Sequence, residues 1–196
     1  MKVERFHTSK DGKVSLFSLN DEFLTGVPSC NKQWFVCTSK NDKENSRWDN
    51  RITLVLNDVV QLIMDAPQGH CYKVYAIATN GIFLFSLHNK DDNSIVAIVV
   101  ADKHGKVLYR MNCTALMMSA DISEFGKFAV LSIARSKDKA NKYAGKILVI
   151  NVGDSEIIKS TSNQIGNLYF SSVNIFEPNG DVLAFYQGNA SKVEFY

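Results

Sequence analysis

The sequence predicts an all-β protein built from a repeated unit, and three observations lead there. Short runs rich in Val, Ile, Phe, Tyr and Thr recur from one end of the 196 residues to the other. Turn dipeptides separate these runs. Groups of one turn followed by one long apolar run recur at intervals of about 45 to 55 residues, the period of stacked repeat architectures.

The runs take the form QWFVCTS (Gln33 to Ser39), RITLVLN (Arg51 to Asn57), GIFLFSL (Gly81 to Leu87), SIVAIVVA (Ser94 to Ala101) and KILVINV (Lys146 to Val152). Their length, about five to eight residues, and their β-branched content specify strands. Asp11-Gly12, Asn80-Gly81, His104-Gly105, Gly153-Asp154 and Pro178-Asn179-Gly180 mark the turns between them. No long stretch keeps an apolar 3.6-residue period. The best helix candidate is the short TALMMSADI, Thr114 to Ile122.

Aligned on the turn, the repeated groups are Ser29 to Ser39, Ile77 to Leu87, Ile122 to Ala134 and Phe176 to Gln187, the first of them degenerate. Each is followed by a polar loop and further apolar runs. A small twisted sheet has two apolar faces and cannot hide both by itself. Stacking such sheets around an axis buries them, and strands covered on both sides read as nearly continuous apolar runs, as IVAIVVA does. The expected fold is therefore a small β-propeller-like array of antiparallel blades in one domain spanning 1–196. The blades fall at about 22–67, 68–113, 114–163 and 164–196. Four blades is the expected count, five the alternative, and a β-sandwich the competing architecture. The last segment is short and the first 20 residues hold strands without a blade. The N-terminus is thus expected to complete the C-terminal blade and close the ring, removing two exposed edges.

SEFGKFAVLSI (Ser123 to Ile133) and FEPNGDVLAFY (Phe176 to Tyr186) resemble the turn-and-second-strand signature common in WD-repeat-like and related β-propellers. GKILVINVGDSEIIKS (Gly145 to Ser160) resembles the third-strand, turn and fourth-strand segment of such blades. The sequence departs from the pattern in that no Trp-Asp dipeptide closes a unit; Trp48-Asp49 falls in a loop before a strand.

Composition narrows the function classes. Apolar residues make up 45% of the chain and aromatics 11%, which is globular rather than disordered. A net charge of +2 is small for a nucleic-acid binder, unless the cations cluster. The opening MKVERFHTSKDGK lacks the apolar core of a secretory signal, and the longest apolar run, Ile95 to Ala101, is far short of a spanning helix. A cytoplasmic protein is expected. Its four cysteines, Cys30, Cys37, Cys71 and Cys113, are expected as reduced thiols that act mainly as small buried hydrophobes.

Motifs for catalysis, metal or cofactor are missing from the sequence. There is no H-E-x-x-H, C-x-x-C, phosphate-binding glycine loop or G-x-S-x-G. The paired acids Asp42/Glu44 and Asp91-Asp92 lie in polar loops beside lysines, not in the burial that sets catalytic carboxylates apart. The expectation is a non-enzymatic binding module without cofactor or metal. Three polar loops carry the candidate contacts: Ser39 to Asn50 with Arg47 and Trp48, Asn89 to Ser94 with Asp91 and Asp92, and Arg135 to Gly145 with Lys137, Lys139, Lys142 and Tyr143. Each follows the second strand of its repeat, so all three are expected on one face, with the aromatics as anchors. By type, small size and Asn/Lys-rich loops resemble an immunity protein of a bacterial contact-dependent growth inhibition system. That resemblance implies a stoichiometric inhibitor covering the active site of a toxin. The alternatives are single-stranded RNA binding through the basic loop around Arg135 to Lys146, or a scaffold that closes its ring by dimerisation instead of standing as a monomer.

Overall fold

The structure is a computed structural model that describes all residues except 11, 21, 40–49, 137–140, 166–167, 171, 187–188 and 196. Among the described residues the regular elements are strands, in antiparallel sheets. The first sheet has six strands in sequence order: β1 (Glu4–Thr8), β2 (Ser15–Leu19), β3 (Glu22–Pro28), β4 (Trp34–Ser39), β5 (Arg51–Leu56) and β6 (Val59–Asp65). The second holds β7 (His70–Ile77), β8 (Phe83–Asn89), β9 (Ile95–Ala101) and β10 (Val107–Met111). The third holds β11 (Met117–Ile122), β12 (Phe128–Ile133), β13 (Lys146–Asn151) and β14 (Glu156–Ser162). A two-stranded ladder, β15 (Gln164–Ile165) and β16 (Leu168–Tyr169), leads into a fourth sheet of β17 (Ser172–Phe176), β18 (Asp181–Tyr186) and β19 (Asn189–Lys192). The expected segments 68–113 and 114–163 each hold one sheet, whereas the first sheet takes in β1 and β2 from before residue 22 and the segment 164–196 holds both the two-stranded ladder and the fourth sheet. The helix candidate around Met117 is strand β11: its backbone pairs with β12 from Met117↔Ile133 to Ile122↔Ala129.

Consecutive sheets stack face to face. β3 and β4 lie against β7, β7 and β8 against β11, and β11 and β12 against β17. Each junction has its own apolar filling. Trp34, Val36 and Leu54 meet Phe83, Phe85 and Val99 at the first junction. Leu84, Ile98 and Val100 meet Met117, Leu131 and Ile150 at the second. Phe128, Val130 and Val149 meet Val173, Ile175 and Val182 at the third. The central strands β8, β9, β12 and β13 feed both of their faces into such junctions, which is why their sequences lack polar alternation.

The ring closure expected from the chain ends is corrected by the pairing. β1 and β2 do not complete the C-terminal sheet. β2 pairs with β3 from Ser15↔Gly26 to Leu19↔Glu22, so both strands extend the first sheet. That sheet curls until its ends meet. Lys2 bridges Val59, the Val3 N–H donates to the Asp58 carbonyl at 3.0 Å, and the Val60 N–H donates to the Met1 carbonyl at 2.9 Å. The meeting is a single bridge, not a ladder. Inside the curl lie Val3, Phe17, Leu24, Phe35, Cys37 and Val55. The Arg5 guanidinium spans its mouth, 4.4 Å over the Phe35 ring and 2.7 Å from the Asp58 carboxylate. The physical reason is local: β2 ends at Leu19 and β3 begins at Glu22, so the two are close neighbours in sequence and pair directly, whereas the fourth sheet is distant in sequence.

Candidate partner-binding face

The turns that open β4, β8, β12 and β18 orient the molecule. Ser29 N–H donates to the Trp34 carbonyl at 2.9 Å and Ser123 N–H to the Phe128 carbonyl at 2.9 Å. In both, the serine hydroxyl accepts from the closing residue, Trp34 at 3.1 Å and Phe128 at 2.9 Å. These turns touch across the junctions. Thr79 N–H and Oγ1 each donate to the Glu124 carbonyl at 2.8 Å, and Asn80 Nδ2 donates to the Phe125 carbonyl at 2.7 Å. Glu177 Oε1 accepts from Ser123 Oγ at 2.7 Å and from the Phe125 N–H at 3.2 Å. All these turns therefore occupy one side of the stack. The connections that leave the far ends of β8 and β12, as far as they are described, emerge on the other.

Four of the eight candidate residues can be placed. Asp91 and Asp92 form the exposed tip between β8 and β9. Asn89 Oδ1 accepts from the Asp91 N–H at 3.0 Å, and Asp92 Oδ1 accepts from the Ser94 N–H at 2.9 Å. The bonding from Ser94 holds the Asp92 carboxyl below its usual range, so it is ionised at neutral pH. Lys142 and Tyr143 lie in the connection from β12 to β13, with the Lys142 amine 4.8 Å over the Tyr143 ring. Tyr143 is half-buried and packs against the core between the second and third sheets. It comes close enough to Tyr109 to add to the burial that pushes that phenol up to about 12. Tyr143 is thus an anchor of the loop rather than a projecting ring. Arg47, Trp48, Lys137 and Lys139 lie outside the described residues.

Two residues that sequence reasoning passed over join this face. Leu116, just before β11, is 60% exposed and Met118, its second residue, is 42% exposed. The Ala134 N–H donates to the Leu116 carbonyl at 2.8 Å, the Gly145 N–H to the Ala134 carbonyl at 2.9 Å, and Asn141 Nδ2 to Thr114 Oγ1 at 3.1 Å. These bonds tie Leu116 directly to the loop carrying Lys142 and Tyr143. Ala115 and Met117, between and beside them, are buried. The signal was a two-residue alternation, masked because all four residues are apolar.

Among the described residues no group of three His, Cys, Asp or Glu side chains could hold a metal ion, and no helix is long and apolar enough to cross a membrane.

Stacked antiparallel sheets with equivalent turns on one side define an all-β, propeller-like protein. Comparison with solved structures agrees. KlHsv2 carrying a Gly-Ser linker in place of its loop 6CD superposes with a TM-score of 0.54 over 95% of this chain, at 10% identity. The WD40 domain of Neurospora crassa Pan2 superposes with a TM-score of 0.51 over 94% of this chain, at 9% identity. The chain spans 62% and 58% of the lengths of these two structures. Hydrazine synthase from Kuenenia stuttgartiensis matches with a TM-score of 0.48 and 16% identity, over 80% of this chain and 40% of its own. No protein-family model and no curated protein matches the sequence.

Proposed function

We propose that the chain is a non-enzymatic binding module of propeller-like blades, and that a protein partner covers the face formed by its second-to-third-strand connections. The observation that carries this reading is the pairing of Leu116 and Met118, both exposed, with Lys142 on one hydrogen-bonded substructure. Exposed apolar side chains beside a charged one are of the kind found at an interface centre and its rim. Asp91 and Asp92 add an acidic element on the neighbouring sheet. The most concrete form of the reading is a stoichiometric inhibitor, of the immunity-protein type, that neutralises a toxin by covering its active site. RNA is the weaker partner, because the Tyr143 ring is packed below and covered by Lys142 above, leaving no open face for base stacking.

The test is affinity capture from the native cell with mass spectrometry, comparing the parent chain with Leu116→Asp/Met118→Asp. Both residues are exposed, so the double variant is expected to keep its thermal midpoint within a few degrees and to lose captured partner by about tenfold or more. Equal capture by parent and variant removes this face from the binding reading.

A further inference from the structure

Counted outward from the inner strands β3, β7, β11 and β17, which meet one another in turn, three of the sheets have a fourth strand. The first sheet ends on β6, the second on β10 and the third on β14. The fourth sheet runs from β17 through β18 to β19, and among the described residues no strand lies beyond β19. β19 thus holds the place that β5, β9 and β13 hold in the other sheets. Those strands are mostly buried, whereas all of β19 is exposed.

The existing fourth strands show what belongs beside it. Leu62 and Met64 of β6 pack against the core between the first and second sheets. Tyr109 and Met111 of β10 are buried between the second and third, and Ile157 of β14 turns back onto that same junction. Apolar side chains two residues apart lie on one face of a strand. Beside β19 the corresponding space is a groove of about 450 Å³. Buried Phe170 and Val193 give it an apolar floor, Thr161 and Ser162 of β14 form one wall, and Lys192 and Glu194 form the other. The Lys192 amine lies 3.2 Å from the Asp181 carboxylate, so no lone cation marks the groove for an anionic ligand.

The backbone of β19 is arranged for a further pairing. The Val193 N–H donates to the Val182 carbonyl at 2.9 Å, and the register continues through Ala184↔Ser191 to Tyr186↔Asn189. Antiparallel bonds fall on every second pair. Asn189, Ser191 and Val193 therefore turn their peptide groups toward β18, and Ala190 and Lys192 turn theirs toward the outer edge.

We infer that the outer edge of β19 is a docking site for an extended segment of a partner polypeptide, which adds to the fourth sheet as an antiparallel fourth strand and carries apolar side chains at alternate positions. The peptide groups of Ala190 and Lys192 supply the pairing, and alternate side chains enter the groove over Phe170 and Val193. The third sheet limits the occupant to a single strand, because it is one strand wider than the fourth and its β14 walls the groove. A second copy paired edge to edge through β19 would be related by a two-fold axis normal to the sheet. That axis brings the second copy's own third sheet to the same side, onto β14. The site lies on the outer rim, apart from Leu116 and Met118 at the inner strand β11, so the two docking readings can fail separately.

The test titrates the nitrogen-15-labelled full chain with a blocked decapeptide of alternating valine and serine, tipped with lysines for solubility, and follows amide NMR. Shifts are expected at Thr161, Ser162, Phe170 and Ala190 to Glu194, with slowed exchange of the Ala190 and Lys192 amides. Ala190→Pro deletes an outward N–H and no bond to β18, so its thermal midpoint is expected to hold within a few degrees. Its binding is expected to weaken by about tenfold or more. A peptide of the same composition with its valines in one block is expected not to bind. N-methylation of alternate peptide residues is expected to abolish binding in one phase and spare it in the other, because only one edge of the added strand faces β19. This last comparison uses the parent chain, so it decides the matter even where Ala190→Pro fails to fold. Absence of shifts, shifts centred on Leu116 and Lys142, equal binding by a folded Ala190→Pro, equal binding of the block peptide, or equal binding of both N-methylated phases each overturns the proposal. So do shifts at β19 that grow with protein concentration in the absence of peptide, which would mark a second copy as the occupant.

Discussion

The turn that opens the first sheet's β4 and the turn that opens the third sheet's β12 share their backbone hydrogen bonds and an opening serine, but carry different residues at the position that turns left-handed. Lys32 in the first and Gly126 in the third occupy the same position, and both are left-handed, with φ of 57° and 72°. A side chain on Gly126 would put its Cβ 2.9 Å from Ile82 Cδ1 and 3.1 Å from Asn80 Oδ1 of the preceding sheet. The equivalent Gly81 is pressed against Trp34 in the same way, and Gly180 against Phe128. Lys32 has no preceding sheet in front of it and reaches instead toward Gly12 of the N-terminal hairpin. Glycine therefore stands where a neighbour sheet closes on the turn, and a lysine is tolerated where none does. The first sheet ends the stack by curling on itself, whereas the middle sheets end on one another.

The largest way to break this contrast is to empty the curl. Phe17 is fully buried there, edge-on to Phe35 at 5.0 Å. Phe17→Ala is expected to cost about 3–5 kcal/mol in denaturant unfolding. Amide exchange should open first across β1 to β6, leaving β12 and β13 protected. Simultaneous loss of protection in both regions would show that the curled sheet is not a separate cap. The next effect compares the two turns. Gly126→Ala should cost about 2–4 kcal/mol, from a left-handed alanine and a forced shift of Ile82. Lys32→Gly relieves the same backbone conformation without opening a contact, and should be neutral or stabilising by up to about 1 kcal/mol. Equal losses in the two variants would remove the explanation by neighbour contact.

This asymmetry also separates what the sequence could reveal from what it could not. Runs such as IVAIVVA and KILVINV, and turns such as Asn80-Gly81 and Phe125-Gly126, announce strands and their limits, because burial on both faces and positive φ each leave a compositional mark. The segment Ser29 to Trp34 reads as degenerate for want of the glycine, yet its backbone matches Ser123 to Phe128; the missing glycine reports a missing neighbour. The placement of β1 and β2 was not legible, since an unpartnered hairpin fits either end of a stack and only tertiary contacts choose between them. The loop residues were half legible. Their shared side follows from strand count alone, while the folding back of Tyr143 onto the core depends on packing that no local pattern records. Leu116 and Met118 were hidden by neighbours as apolar as themselves.

The smallest expected effect sharpens the comparison through pH. The interior of the first sheet's curl is apolar, but the second sheet buries a polar relay. Tyr75 Oη lies 3.2 Å from Ser86 Oγ, Ser86 Oγ lies 2.6 Å from His88 Nε2, and His88 Nδ1 lies 3.1 Å from the Asn93 carbonyl. The carbonyl only accepts, so Nδ1 carries the proton and Nε2 takes the bond from the serine in the neutral ring. Burial, opposed by the Asn93 bond and assisted by Lys73, holds the His88 pKa below its ordinary value. A folded pKa below the unfolded one means that the unfolded chain binds the extra proton first. The stability contributed by the neutral ring is whole above about pH 6.5 and is lost as the pH falls below it toward the folded value. Exchange corrected for the intrinsic rate should therefore show β7 to β9 losing protection between neutral and mildly acidic pH. The curl of β2 to β5 should change less. His88→Gln should flatten the response of β7 to β9 and leave that of the curl as it was. If the curl instead carries the same pH response, and His88→Gln abolishes it there too, the sheets unfold as one unit and the capped end has no independence from the stack it closes.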